Sequence, residues 1–240
     1  MKTKNYEVYY NPIRYVSEVE LKTDNVDEHK NYMHYKCPVW NHQFQRTFIV
    51  KSPVDFQFSI SKENKNIITY NIDNQGFKLI DISKTKDNEN SFSDENIICF
   101  PSDFLNEQPV FQLFFTAIAF WVPSDLDYVW FEFLEHPITS LKNNFIALGG
   151  WWNIASHPRN TSLAVKVIDA NKPIIIKKGD PLYKVRFYTE DLNDKPILVK
   201  KDNSDEFPYE KINERMMSLR SSSKPNPEFL NTILFGKPSN

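Results

Sequence analysis

The 240-residue chain is 40% hydrophobic and 15% aromatic, with 19 Phe and 11 Tyr, ample to bury the core of one large β domain. A formal net charge of -2 gives no electrostatic reason to expect nucleic acid or an anionic membrane as partner. The 2 cysteines, Cys37 and Cys99, exclude a disulfide framework and a four-thiolate zinc site, and suit a reducing compartment.

Residues 1–10 are charged and hold no apolar leader segment. Residues 6–10 and 15–21 read as β-prone runs separated by an Asn11-Pro12 turn. Residues 46–50 and 54–60 read as a second pair joined around Ser52-Pro53. In the later run Val54, Phe56, Phe58 and Ile60 alternate with Asp55, Gln57 and Ser59, the period of a strand with one wet face. Ile67–Ile72 and residues 77–82 read as a hairpin turning at Asn74-Gln75-Gly76. Residues 84–95 form a polar excursion in which Phe92 is the apolar anchor.

The most apolar stretch, residues 110–122, is interrupted by Gln112 and Thr116 and is far short of the roughly 20 residues a spanning helix needs. Its β-branched and aromatic content, with a proline at each end, favours a core strand over a buried helix. A Pro123-Ser124-Asp125 turn leads to residues 128–133. Farther on, Leu163, Val165 and Val167 alternate with Ala164 and Lys166. Ile174 and Ile176 face one way, and Lys177 to Asp180 turn the chain. Leu182, Lys184, Arg186 and Tyr188 then alternate with Tyr183, Val185 and Phe187. In residues 204–222 the spacing of Ile212, Met216 and Leu219 becomes helical, and Pro227 opens a last short helix over 228–235, closed by Gly236. The expected organisation is a mainly β domain over 1–200, a sandwich or β-clip-like barrel, with a helical C-terminal tail over 201–240. Such a tail docks on the domain or reaches a neighbouring subunit.

Lys178-Gly179-Asp180-Pro181-Leu182, set between two strand-like runs, resembles the late hairpin of β-clip proteins, the group that includes dUTPases. More broadly, across residues 37–188, the chain resembles a family carried by tailed, T-even-like phages of marine bacteria. The passages that carry this are Cys37-Pro38, Arg46-Thr47-Phe48, Lys51-Ser52-Pro53-Val54-Asp55, Glu135-His136-Pro137 and Lys178 to Leu182. An excess of lysine (23) over arginine (6), with abundant asparagine, agrees with AT-rich coding. These resemblances imply a phage-type accessory protein acting by binding. It would be a virion-associated or structural component, or an intracellular effector on a host target, in the virion or the host cytoplasm. A protein partner or self-assembly goes with that reading. The alternative is a small-molecule enzyme or nucleotide-binding relative of the dUTPase-like group. The dUTPase activity itself is not implied, because no Asp-Gly-Tyr-Arg-Gly-like stretch occurs and 5 glycines offer little for a phosphate-cradling loop.

The histidines, His29, His34, His42, His136 and His157, form no HxH, HxD or HExxH pattern, so neither a metal site nor a cofactor is expected. Cys37 and His42 have at best a loose zinc spacing, and a small buried thiol is the plainer reading of Cys37. Asp127 could pair with Glu132 or Glu135 for acid–base work, whereas Asp125 reads as a turn former. The richest chemistry lies in Trp151, Trp152, His157 and Arg159, with His136 nearby in the pattern and Gly149-Gly150 just before. Cations beside large aromatic faces could hold a small anionic or nucleotide-like ligand by charge and stacking. The competing reading makes His136-Pro137 and His157-Pro158 strand ends and turns both tryptophans inward.

Overall fold

The computed structural model describes residues 4–13, 15, 21–23, 37–81, 92–93, 97–100, 110–191 and 193–201, with backbone alone at 21–23, 40–41, 92–93, 98–100 and 159. In chain order come strands β1 (Asn5–Pro12) and β2 (Leu21–Thr23), helix α1 (Pro38–Phe44), and strands β3 (Thr47–Lys51), β4 (Phe56–Ile60), β5 (Ile67–Ile72) and β6 (Lys78–Asp81). Strands β7 (Phe92–Ser93), β8 (Ile97–Phe100), β9 (Val110–Trp121) and β10 (Trp130–Glu135) follow, then helix α2 (Pro137–Lys142). The remainder is β11 (Phe145–Ala147), β12 (Gly150–Asn153), β13 (Arg159–Val167), β14 (Ile174–Ile176), β15 (Pro181–Tyr188) and β16 (Lys195–Lys200). The fold is therefore mainly β, of sandwich- or barrel-like type, as the alternation predicts. No helix among the described residues is long and apolar enough to cross a membrane. The tail beyond residue 201 lies outside the described residues, as does the polar excursion except for β7, which pairs with β8.

Three sheets share one core. A seven-stranded sheet runs β11-β13-β9-β1-β16, with β8 also on β9; a five-stranded sheet runs β12-β10-β15-β3-β2; a four-stranded sheet runs β14-β4-β5-β6. Strand β9 joins them. Its first half pairs with β8 and its second half with β1, while β13 follows it on the other flank. Phe111 and Phe115 of β9 meet Phe58 and Phe56 of the four-stranded sheet, with ring centroids 4.6 and 4.7 Å apart. Phe120 meets Phe131 and Phe187 of the five-stranded sheet at 5.4 and 5.5 Å. Residues 110–122 and 182–187 thus supply the centre, as their composition predicts.

The β9 strand is not regular. Thr161 faces Ile118 but Leu163 faces Leu113, so residues 114–117 bulge out opposite Ser162. Buried Thr116 closes the gap: its hydroxyl donates to Leu113 C=O (2.7 Å) and accepts the Leu163 N–H (2.8 Å). The residue that interrupts the apolar run is thus a main-chain substitute.

Three expectations from local pattern are corrected. Asn11-Pro12 is no turn: it continues β1 against β9, and proline is tolerated because β16 covers β1 only from Asn5 to Tyr10. Strands β3 and β4 do not pair with each other; β3 pairs with β15 and β4 with β14. For the same reason Lys178-Gly179-Asp180 is not the tip of a hairpin, since β14 and β15 belong to different sheets. The two crossovers lie side by side, with Ser52 N–H on Asp180 C=O and Gly179 N–H on Ser52 C=O, each at 2.8 Å. Asp55 accepts the Lys178 N–H (2.8 Å) and the Lys177 ammonium (3.3 Å), and these bonds hold its carboxyl below the usual carboxylate range. Gly179 supplies the φ of 85° that the turn requires. The bulge between Pro181 and Tyr183 interrupts the alternation, so that neighbouring Leu182 and Tyr183 are both buried in the core. The hairpin at Asn74 to Gly76 is as expected, with Asp73, Asn74 and Gly76 all at positive φ.

Candidate functional site

After β11 the chain leaves one sheet for another. Leu148 N–H still bonds Ala164 C=O (2.8 Å), Gly149 passes against β10, and Gly150 begins β12 at the edge of the five-stranded sheet. A Cβ on Gly149 would lie 2.6 Å from Phe133 O, so only glycine lets the strands pass this closely. Neither glycine has positive φ, so the pair serves close packing more than bending. Alternation then points Trp151 outward, 56% exposed, and Trp152 inward against Phe131 at 4.3 Å. The sharply folded end of β12 is held by buried Asn153. Its Oδ1 accepts the N–H of Val129 and Ala155, and its Nδ2 donates to Asp127 C=O.

Between β12 and β13 opens a cleft of about 350 Å³. Its β12 wall is Gly149, Gly150, Trp151 and Trp152; its floor includes Gln112, Asn160, Thr161 and Ser162. The Gln112 Nε2 donates to Ser162 Oγ at 2.6 Å, directly beside the β9 bulge. Ile154 N–H donates to Val129 C=O, which sets the alternation of the β10–β12 ladder. That phase turns the main-chain N–H and C=O of Trp151 away from β10, toward the open edge. Trp151 is propped by Trp130, with ring centroids 5.3 Å apart and planes at 52°.

The residues expected to form one cluster are only partly brought together. Trp151 and Trp152 both line the cleft. His157 is buried in the turn before β13, its N–H on Asn153 C=O (2.9 Å), and does not line the cleft. His136 is the N-cap residue of α2, with Nδ1 2.9 Å from Thr139 Oγ1, likewise outside the lining. Arg159 starts β13 opposite Phe120, and its side chain lies outside the described residues. Both His-Pro pairs thus sit at strand ends, while one tryptophan faces in and the other out.

The carboxylates take separate partners. Glu132 accepts from Arg186 (3.1 Å) and from the Tyr188 hydroxyl, and Arg186 Nε donates to Thr47 Oγ1 (3.0 Å). Burial and, beyond it, the Glu132 carboxylate push the Tyr188 phenol well above its ordinary range. Glu135 instead accepts the Ala147 N–H (3.2 Å), and Asp127 lends its carbonyl to Asn153. His42 lies within α1, where its carbonyl takes one bond from the buried Arg46 guanidinium; Arg46 also reaches Asp194 C=O. No group of three or more His, Cys, Asp or Glu that could hold a metal occurs among the described residues.

Of the floor residues, the sequence pattern marks Gln112 only as a break in an apolar run, and it gives Asn160, Thr161 and Ser162 no role. The signal at Asn160-Thr161-Ser162 is a polar stretch opening a strand. No protein-family model, curated protein or solved structure matches the chain.

Proposed function

We propose that the protein acts by binding, as an accessory protein of a tailed phage, and that the cleft between β12 and β13 is its recognition site. The observation that supports binding over catalysis is the cleft lining: Trp, Phe, Leu, Ala, Gly, Gln, Asn, Thr and Ser, with no acid, base or thiol among the described residues. Proton transfer and nucleophile activation both need a titrating group within hydrogen-bond reach of the reacting atoms. The phage assignment, whether virion component or effector on a host target, rests on the resemblance carried by residues 37–188.

Size-exclusion chromatography with light scattering, joined to a thermal-shift screen of nucleotides, tests this reading. The expected result is a nucleotide-indifferent monomer or a large assembly. A trimer stabilised by dUTP would overturn it in favour of a nucleotide-handling enzyme.

A further inference from the structure

We infer that the cleft takes a neutral saccharide; this rests on its being the recognition site. Every polar side chain among the described lining residues is an uncharged amide or hydroxyl. The amides of Gln112 and Asn160 and the Ser162 hydroxyl each donate and accept, while the buried Thr161 hydroxyl already donates to Ile118 C=O. A sugar hydroxyl is likewise donor and acceptor at once, so the two sets match without burying a charge.

The floor is already oriented. Because Gln112 Nε2 is committed to Ser162 Oγ, its Oε1 is left as an acceptor and the Ser162 hydrogen as a donor. Along the β12 edge, Trp151 adds one main-chain N–H and one C=O, a donor and an acceptor in fixed positions. The exposed Trp151 indole supplies an apolar plane for the C–H face of a pyranose, the other half of an amphipathic ring.

Other ligand classes fit less well. A nucleotide or acidic ligand calls for a cation, and the described residues that line the cleft include none. A flat base is best held between two parallel rings, and among the described lining residues Trp151 alone presents an exposed ring. The volume of about 350 Å³ lies at the small end of ligand sites, with room for a terminal sugar unit and its linkage.

The test is a titration of the full chain with neutral trisaccharides of the gluco, galacto, manno and N-acetylglucosamine types, followed by tryptophan fluorescence and saturation-transfer NMR. Adenosine, dUMP and sialyllactose serve as comparators. Saturable binding of one neutral series is expected, weakened at least about tenfold by Trp151→Ala, with no response to adenosine or dUMP. Gly150→Ala is the second variant. Its new methyl meets only the Trp152 ring edge at 3.9 Å, so it narrows the cleft without disturbing the strand. Binding of adenosine or dUMP alone, lost in both variants, would overturn the saccharide assignment, and binding of sialyllactose alone would overturn the requirement that the saccharide be neutral; either would leave the cleft as a recognition site. Binding that neither variant alters, or no binding of any probe, would overturn both.

Discussion

Replacing Thr116 with valine keeps the branched shape of a fully packed side chain and removes one hydroxyl. That hydroxyl makes two bonds in the β9 bulge, to Leu113 C=O at 2.7 Å and from Leu163 N–H at 2.8 Å. Its loss strands the Leu163 N–H in the core, where an unsatisfied donor costs about 1–3 kcal/mol and each lost bond a net 0.5–1.5 kcal/mol, roughly. The added methyl returns about 0.8 kcal/mol, so a net destabilisation of about 2–3 kcal/mol is expected. In a chain of this size that lowers Tm by about 4–12 °C. Urea unfolding of the wild type, Thr116→Val and Thr116→Ser measures it, since serine keeps the hydroxyl and gives up only a buried methyl, about 1 kcal/mol. A valine variant as stable as the serine variant would refute the bulge-closing role. Tyr183 hydroxyl donates to the Thr116 carbonyl at 3.2 Å, so Tyr183→Phe should couple to Thr116→Val by at least about 0.5 kcal/mol.

Phe187, 0% exposed between Phe120 and Phe131, should cost about 3–5 kcal/mol on truncation to alanine, as should Phe115; calorimetric or urea losses under about 1 kcal/mol at both would contradict the core. Gly149→Ala should destabilise by about 1–3 kcal/mol because its Cβ meets a main-chain carbonyl at 2.6 Å, while Gly150→Ala should stay close to wild type in the same melt. The Lys178 N–H and the Lys177 ammonium hold the Asp55 carboxyl below the ordinary carboxylate range, so its contribution is present above the unfolded pKa and disappears as pH falls through the folded pKa. Urea midpoints of Asp55→Asn should therefore trail wild type at pH 6 and converge with it as the pH falls through the depressed pKa; a gap that is independent of pH would count against the carboxylate as the source.

What was legible in the sequence was period and composition. Alternation in residues 54–60 and 182–188 placed the buried faces, and the aromatic run at 110–122 placed the centre. Partner choice was not legible, because a strand pattern carries no address. Ser52-Pro53 and Lys178-Gly179 each look like hairpin tips, yet each carries the chain between sheets and is held by the other crossover. The tryptophan pair drew notice by its chemistry, and one half of it faces solvent. The cleft floor was hidden because Gln112 and Ser162 are 50 residues apart and acquire meaning only when β9 and β13 align. His136 and His157 illustrate the opposite error: chemically suggestive side chains in sequence, each occupied by a local turn.

On the ribosome, β1 is made long before its partner β16. The two run parallel, pairing Asn5 with Lys195 and Tyr10 with Lys200. At roughly 5–20 residues per second, the interval between the two strands is on the order of ten to forty seconds. Throughout it, β1 offers an open main-chain edge and the apolar Tyr6 and Val8 to whatever is near. Contacts of such long span also slow folding after release. Chains that terminate before residue 195 leave that edge permanently open, so early stop codons here convert a folding protein into one that recruits strands from its neighbours.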